Sequence, residues 1–212
     1  MAVKNPTTAT EVDPNSHITN ISTRASFAGL TRSEDAYNYW DEGVGHFSGD
    51  FEFLATITPT SFVGGNSAGY ITLANLVDDM NGIKAAGGDG LYLRWEETGG
   101  SPYIYLWEDF AGTSFLTSYL MSLSTLYYIK FKRDEAVTTY GTLYCYIYSD
   151  SARTNLLATL SLALHEKEDF RYLYMVHSRN TASGTSSTGY IENLDLQEAA
   201  AGNPYYAYAQ QM

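Results

Sequence analysis

Carboxylates are the residues of this chain with the most obvious catalytic potential. Asp and Glu number 24, and adjacent pairs recur among them, as at Glu34-Asp35, Asp41-Glu42, Glu96-Glu97 and Glu108-Asp109. Adjacent residues of a strand point to opposite faces, whereas retaining glycosidases need two carboxyl groups about 5–5.5 Å apart on one side of the substrate. We therefore expect these pairs to be solvated loop carboxylates and predict no retaining glycosidase site.

The residues that could serve nucleophilic catalysis or bind a metal show no characteristic spacing either. The histidines, which never occur at metal-ligand spacing, are His17, His46, His165 and His177. Chain order does not exclude a Ser-His-Asp site, but no Gly-x-Ser-x-Gly turn accompanies one. Cys145 lies in an apolar run without flanking cations, which predicts a small buried hydrophobe. The sequence thus predicts a protein that is not an enzyme and needs no cofactor.

One group of polar residues leaves a metal open. Asp78 and Asp79 stand close to Asn75 and Asn81, and carboxylate and amide oxygens are the ligands that Ca²⁺ prefers. A polar turn explains the same residues and is the preferred interpretation. Ca²⁺ is the one ion for which candidates exist.

Aromatic residues are the second chemical feature. The chain has 19 Tyr and only 17% charged residues. Two runs place rings at alternate positions, which in a strand share one face: Tyr103, Tyr105 and Trp107, and Tyr144, Tyr146 and Tyr148. Cross-strand packing within a sheet is one explanation. The other is a ligand-binding platform on which sugar rings or a protein surface would pack.

Short alternating segments separated by Gly, Asn, Asp and Ser clusters carry these residues. Such a pattern predicts an all-β, two-sheet antiparallel sandwich, with one helical turn near 78–86. We expect an extended N-terminal arm at 1–16, a sandwich domain at 17–198 and a Tyr-rich tail at 199–212. The predicted strands span 17–23, 25–30, 50–59, 69–77, 91–96, 102–108, 126–132, 143–148, 156–164, 171–177 and 189–196.

Charge and hydropathy restrict the partners. The net charge is -12, and the densest basic patch is Lys130, Lys132 and Arg133. An acidic field repels phosphate backbones, so we expect no nucleic-acid binding. No run approaches the roughly 20 apolar residues of a membrane span, and the N-terminus lacks the apolar core of a signal peptide. We therefore expect synthesis in the cytoplasm and no membrane span.

The last segment suggests a protein partner. Tyr205, Tyr206 and Tyr208 follow an Ala-Gly stretch that carries no charge. Tyrosine anchors an interface at low conformational cost. We predict that these three rings contact a neighbouring subunit, with a disordered tail as the alternative.

Several segments, in order, resemble one fold family. They are Ser48–Phe53, Tyr127–Asp134, Leu143–Asp150 with Leu156–Leu162, and Thr188–Leu196. Together they resemble strands of the concanavalin A-like lectin/glucanase superfamily, the LamG-like jelly rolls. The resemblance implies a fold and leaves function open. The Glu-x-Asp-x-x-Glu strand of the family's glucanases does not occur here.

A further resemblance suggests where such a protein occurs. Leu30–Tyr37 and Trp40–Gly43 are similar to uncharacterised proteins of this superfamily in bacteriophage and environmental viral sequences. Our first hypothesis is a non-enzymatic structural or decoration subunit of a virus particle, a tailed bacteriophage, whose arms contact other virion proteins or copies of itself. The alternative is a lectin-like module that binds glycans. The third is a divergent glycoside hydrolase.

Overall fold

Fourteen strands and one short α-helix form the part of the protein that a computed structural model describes, residues 3–198. The helix α1 spans Met80–Ala85, and a single 3-10 turn spans Pro6–Thr8. The strands are β1 (Thr10–Val12), β2 (Ile18–Ile21), β3 (Arg24–Arg32), β4 (Tyr37–Asp41), β5 (Phe51–Val63), β6 (Ser67–Ala74), β7 (Gly90–Thr98), β8 (Ser101–Phe110), β9 (Thr113–Leu120), β10 (Tyr127–Asp134), β11 (Thr142–Tyr148), β12 (Leu156–Ala163), β13 (Tyr172–His177) and β14 (Ser183–Asp195).

The strands pair into two seven-stranded sheets. Sheet I has the order β12-β11-β10-β5-β14-β3-β2, and sheet II has the order β1-β4-β13-β6-β7-β8-β9. Every pairing is antiparallel, and strands distant in sequence, such as β5 and β14, lie side by side. This arrangement confirms the predicted all-β jelly-roll sandwich.

The core lies between the two sheets. Ile129 and Phe131 of sheet I and Ile104 and Leu106 of sheet II belong to one buried cluster, while the residues between them face outward. Cys145 is completely buried in that cluster, as predicted, and burial raises the pKa of its thiol. The alternation read from the sequence thus identifies the inward face correctly on these strands.

Three strands were not predicted: β1, β4 and β9. In β4 the inward-facing residue Asn38 is polar yet wholly buried. Its amide oxygen accepts from the Val176 backbone N–H at 2.8 Å, and its amide nitrogen donates to Asn20. A buried amide between aromatic residues hides the apolar alternation that predicts a strand. The predicted helical turn is confirmed by α1, which Asp79 caps.

The predicted N-terminal arm lies along its own domain over its described residues, 3–16. Thr10–Val12 extend sheet II by pairing with β4. The Lys4 backbone N–H donates to the Leu194 carbonyl at 2.8 Å, and its ammonium group pairs with Glu42. Contact of this segment with a neighbouring subunit stays a prediction. Tyr205, Tyr206 and Tyr208 lie outside the described residues, in which no helix is long and apolar enough to cross a membrane.

A buried arginine joins the loops at one end of the sandwich. Arg133 points inward from β10, whereas its neighbours in the predicted basic patch point outward. Its guanidinium group donates to the carbonyl oxygens of Gly49 at 2.5 Å, Glu168 at 2.5 Å and Phe47 at 2.9 Å. One side chain therefore satisfies three backbone acceptors from two separate loops.

Replacing Arg133 with methionine should lower the free energy of unfolding by about 2–4 kcal/mol, because buried carbonyl oxygens lose their donors. The matched change Lys132→Met removes an outward-facing cation paired with Asp134. It should change the free energy of unfolding by less than about 1 kcal/mol. Urea unfolding followed by tryptophan fluorescence measures both. Equal midpoints for the two variants would contradict the role assigned to Arg133.

Candidate functional site

The outer face of sheet II carries a continuous aromatic layer, which we call the aromatic face. Strand register places Trp107 opposite Tyr92, Tyr105 opposite Arg94 and Tyr103 opposite Glu96. All six side chains point away from the core, because the alternate residues of β8, Ile104 among them, lie inside it. The face continues through β6 and β13 to β4.

The first predicted ring set forms the open part of this face. Tyr103, Tyr105 and Trp107 are half-buried, with successive ring centroids 6.1 and 6.2 Å apart. The Trp107 indole N–H donates to Asp109 at 3.0 Å, and the Tyr105 hydroxyl lies 3.2 Å from Thr98 Oγ1. Hydrogen bonds thus fix the orientation of two of the three rings.

The second predicted set lies on the other side of the sandwich. Tyr144, Tyr146 and Tyr148 are half-buried on the outer face of sheet I, opposite Lys132, Lys130 and Tyr128 in the register of β10. The rings of Tyr144 and Tyr146 stack at 5.8 Å and 21°. The six predicted residues therefore form two separate surfaces, with the core between them.

The far end of the aromatic face is closed. Helix α1 covers it with Ile83, which packs with Tyr37 and Tyr174 in a second small apolar cluster. Beside them His177 stacks on Tyr174 at 4.2 Å. Sequence analysis gave no indication of this cluster, because its members come from three separate segments.

His177 has a structural role in this closed region. Its Nδ1 lies 3.1 Å from Thr72 Oγ1, and its Nε2 lies 2.8 Å from the Asp78 carbonyl oxygen. Complete burial lowers its pKa to about 3. Both ring nitrogens are occupied and the ring is neutral at physiological pH, so it is not available as a proton-transfer group.

An arginine packs against the ring of Trp107. Arg94 is 3% exposed, and its guanidinium carbon lies 3.7 Å from the centre of the Trp107 ring. It donates to Glu96, and burial lowers its pKa to about 10. Arg179 also reaches this carboxylate, at 3.9 Å. These polar groups border the rings of β8, and the sequence did not indicate them.

The calcium candidates meet a third carboxylate. Asp78, Asp79 and Asp35 bring one oxygen each within 4.8 Å of one another. They line an open cleft of about 630 Å³ together with Asn180. The sequence could not predict that Asp35 joins them, because it lies more than forty residues away. The three carboxylates do offer the oxygen ligands that a hard cation requires.

Asp79 is already engaged by the backbone. Its Oδ1 accepts from the backbone N–H groups of Asn81 at 2.7 Å and Asn180 at 2.9 Å, and both oxygens face the Gly82 N–H at 3.3 Å. Burial raises its pKa in spite of these donors. These contacts are those of a helix N-cap, which is the polar-turn interpretation. A Ca²⁺ site at Asp78 and Asp79 stays a prediction.

The expectation that the adjacent carboxylate pairs are solvated loop residues is wrong for several members. Glu34, Glu97, Glu108 and Asp109 are buried. Glu34 accepts from the Thr31 backbone N–H at 2.6 Å, and Glu108 accepts from the backbone and ring of His165. These groups satisfy loop and strand donors, which sequence spacing alone does not reveal.

No family model and no curated protein matches the sequence. Solved structures similar in fold include the alginate lyase Aly36B (14% identity, TM-score 0.59, 93% of this chain and 89% of that one) and a functionally unknown protein from Saccharomyces cerevisiae (10%, 0.57, 93% and 100%). A legume lectin-like domain from Entamoeba histolytica is also similar (10%, 0.54, 94% and 97%). At such identities the likeness concerns the fold alone, a two-sheet jelly-roll sandwich of the kind that the sequence motifs indicated.

Proposed function

We propose that this protein binds a carbohydrate chain on the aromatic face, with Tyr103, Tyr105 and Trp107 as the stacking surface. The observation that carries the proposal is the row of three half-buried rings, whose centroids are spaced 6.1 and 6.2 Å apart along one strand. Sugar rings have flat apolar patches that pack against aromatic faces, while their hydroxyl groups bond to polar neighbours.

The surroundings of the row favour it over the tyrosines of sheet I. Arg179 and Thr98 stand next to the β8 rings and supply hydrogen-bond donors to a ligand lying on them, and the buried Arg94 adds positive charge beside Trp107. On sheet I the adjacent lysines, Lys130 and Lys132, are each paired with a carboxylate. Mutual stacking accounts for Tyr144 and Tyr146 without a ligand. A second glycan surface on sheet I remains a prediction.

A hydrolase is the second candidate, because one observation supports it. The cleft beside the aromatic face holds Asp35, Asp78 and Asp79 within a few ångströms of one another. Paired carboxylates in a cleft are what glycoside hydrolysis requires. Asp79, however, uses its oxygens to cap α1, which leaves Asp35 and Asp78 as the catalytic pair. We place binding without catalysis first, because one of the three carboxylates already caps α1 and none of the described residues that line the cleft is aromatic.

The decoration role in a virus particle is compatible with glycan binding and rests on the sequence. It locates the protein in the virion, in contact with other virion proteins or with copies of itself. Mass spectrometry of purified particles, with sequential removal of surface proteins, would test it. Absence of the chain from the particle would contradict the role and leave the glycan proposal standing.

The double variant Tyr103→Ala, Tyr105→Ala should weaken glycan binding about 5- to 30-fold, because each lost ring contact contributes roughly 0.5–1 kcal/mol. Isothermal titration with glycans selected on an array measures the effect. The matched double variant Tyr144→Ala, Tyr146→Ala on sheet I should bind like the wild type. Loss of binding in the sheet I variant alone, or an array without any bound glycan, would overturn the proposal.

Incubation of the protein with the same glycans should release no new reducing ends. The hydrolase candidate predicts the opposite, namely cleavage of the glycans. Asp78→Asn should abolish that cleavage, and Asn81→Ala, a change in the same cleft, should retain it. Chromatography of the reaction products distinguishes the two outcomes. Products from the wild type that disappear with Asp78→Asn would establish an enzyme in place of a binding module.

A further inference from the structure

Three arginines gather at one end of the aromatic face. Arg94 donates to Glu96, and Arg179 lies 3.9 Å from the same carboxylate. Arg32 is the third: its backbone carbonyl oxygen accepts from the Thr181 N–H at 2.8 Å, two residues after Arg179, and burial together with the charge of Arg179 lowers the pKa of its guanidinium group. We call these residues the arginine cluster. The chain has only 12 Lys and Arg against 24 Asp and Glu, so three arginines in one region of the surface are unusual for it.

Positive charge exceeds negative charge at this point. Glu96 is the carboxylate that Arg94 and Arg179 share, and its charge also acts on Arg32. The next acidic group on the face, Asp109, accepts from the Trp107 indole N–H and from Ser114, and it lies 3.4 Å from the Lys84 ammonium group. The charge of Asp109 also acts on Arg94, but Asp109 is already engaged by these donors, which leaves Glu96 as the carboxylate in contact with Arg94 and Arg179. Charges removed from water are costly unless they are paired, so the excess calls for an anionic partner.

Arg94 supplies a separate observation that points the same way. It is 3% exposed, and its buried Nε has no hydrogen-bond partner among the described residues. Its one carboxylate contact is Glu96, to which Nη2 donates. The buried Nε of Arg32 also lacks a partner among the described residues, and buried guanidinium donors without a partner are uncommon.

The cluster adjoins the rings proposed to hold the sugar. The guanidinium carbon of Arg94 lies 3.7 Å from the Trp107 ring centre and 5.9 Å from the Tyr105 ring centre. That of Arg179 lies 6.0 Å from the Trp107 ring centre, and the Arg179 side chain is 27% exposed. A substituent of a sugar stacked on these rings would lie within reach of Arg179.

We propose that the aromatic face selects an anionic glycan, one whose sugar carries a carboxylate or a sulfate group. Arg179 contacts the anionic group directly. Arg94, which is buried next to the Trp107 ring, helps to position the anionic group through its positive charge. Guanidinium groups bind both oxyanions through paired, charge-assisted hydrogen bonds. The inference rests on the proposed function, since it identifies the ligand class of the same surface.

The net charge of the whole protein separates a specific preference for acidic glycans from non-specific attraction. At a net charge of -12, the overall field repels an acidic polysaccharide. Non-specific attraction therefore cannot produce a preference for the acidic form of a glycan. Such a preference requires a local group of cations.

The test uses matched pairs of polysaccharide fragments. Polygalacturonate, alginate and hyaluronan are each compared with their methyl esters, and a sulfated galactan with its desulfated form. We expect at least one acidic member to bind 10-fold or more tightly than its neutral counterpart, with the ratio falling as salt rises. The uronate and sulfate arms distinguish the two anions. Titration calorimetry on the full chain gives the affinities.

Variants assign the preference to the cluster. Arg179→Gln should reduce the acidic-to-neutral ratio at least 5-fold, and Arg179→Lys should restore part of it. Arg24→Gln, the same charge change on sheet I, should leave the ratio unaltered. Equal binding of acidic and neutral members, or a ratio that survives Arg179→Gln, would overturn the anionic selectivity while the glycan proposal stands. Binding of no member at millimolar concentration would overturn both.

Discussion

The packing of the two inner sheet faces against each other is the constraint on which the rest of the structure depends. Each strand has two faces, and the core takes one of them. On β8 this leaves Ile104 and Leu106 inside and the alternate rings outside. The outward position of the aromatic row is thus a consequence of core packing, and a shift of one residue in register would reverse it.

Sheet II differs from an ordinary sandwich layer, because part of its outer face is also buried. Helix α1 and the loop that precedes it cover Tyr37, Tyr174 and His177. The rings of β8 at the other end stay half-open. Hydrogen bonds to Thr98 and Asp109 orient two rings of the open row without a ligand, and such an orientation would lower the entropic cost of the binding that we propose.

Buried charge in this acidic protein follows two patterns. Arg133 uses its donors on three loop carbonyl oxygens, and Asp79 accepts from the first turn of α1 and from Asn180. Both groups are satisfied within the chain, so they are part of the scaffold. Arg94 retains a donor without a partner. That contrast separates two charges satisfied within the chain from one whose hydrogen bonding is incomplete among the described residues.

Alternation in the sequence predicted most of the strands, the buried position of Cys145 and the outward position of both ring sets. It did not predict β4, where the buried Asn38 interrupts the apolar pattern. Nor could it place the two ring sets on different sheets, because a strand's pattern does not reveal its neighbours. The arginine cluster combines positions 32, 94 and 179, which only the folded topology brings together.

The location of the ligand is the central claim, and NMR mapping of the bound glycan tests it most directly. Titration of an isotopically labelled sample should shift the indole resonance of Trp107 and the ring resonances of Tyr103 and Tyr105. Those of Tyr144, Tyr146 and Tyr148 should not move. Shifts confined to sheet I, or to residues of the Asp35 cleft, would contradict the account.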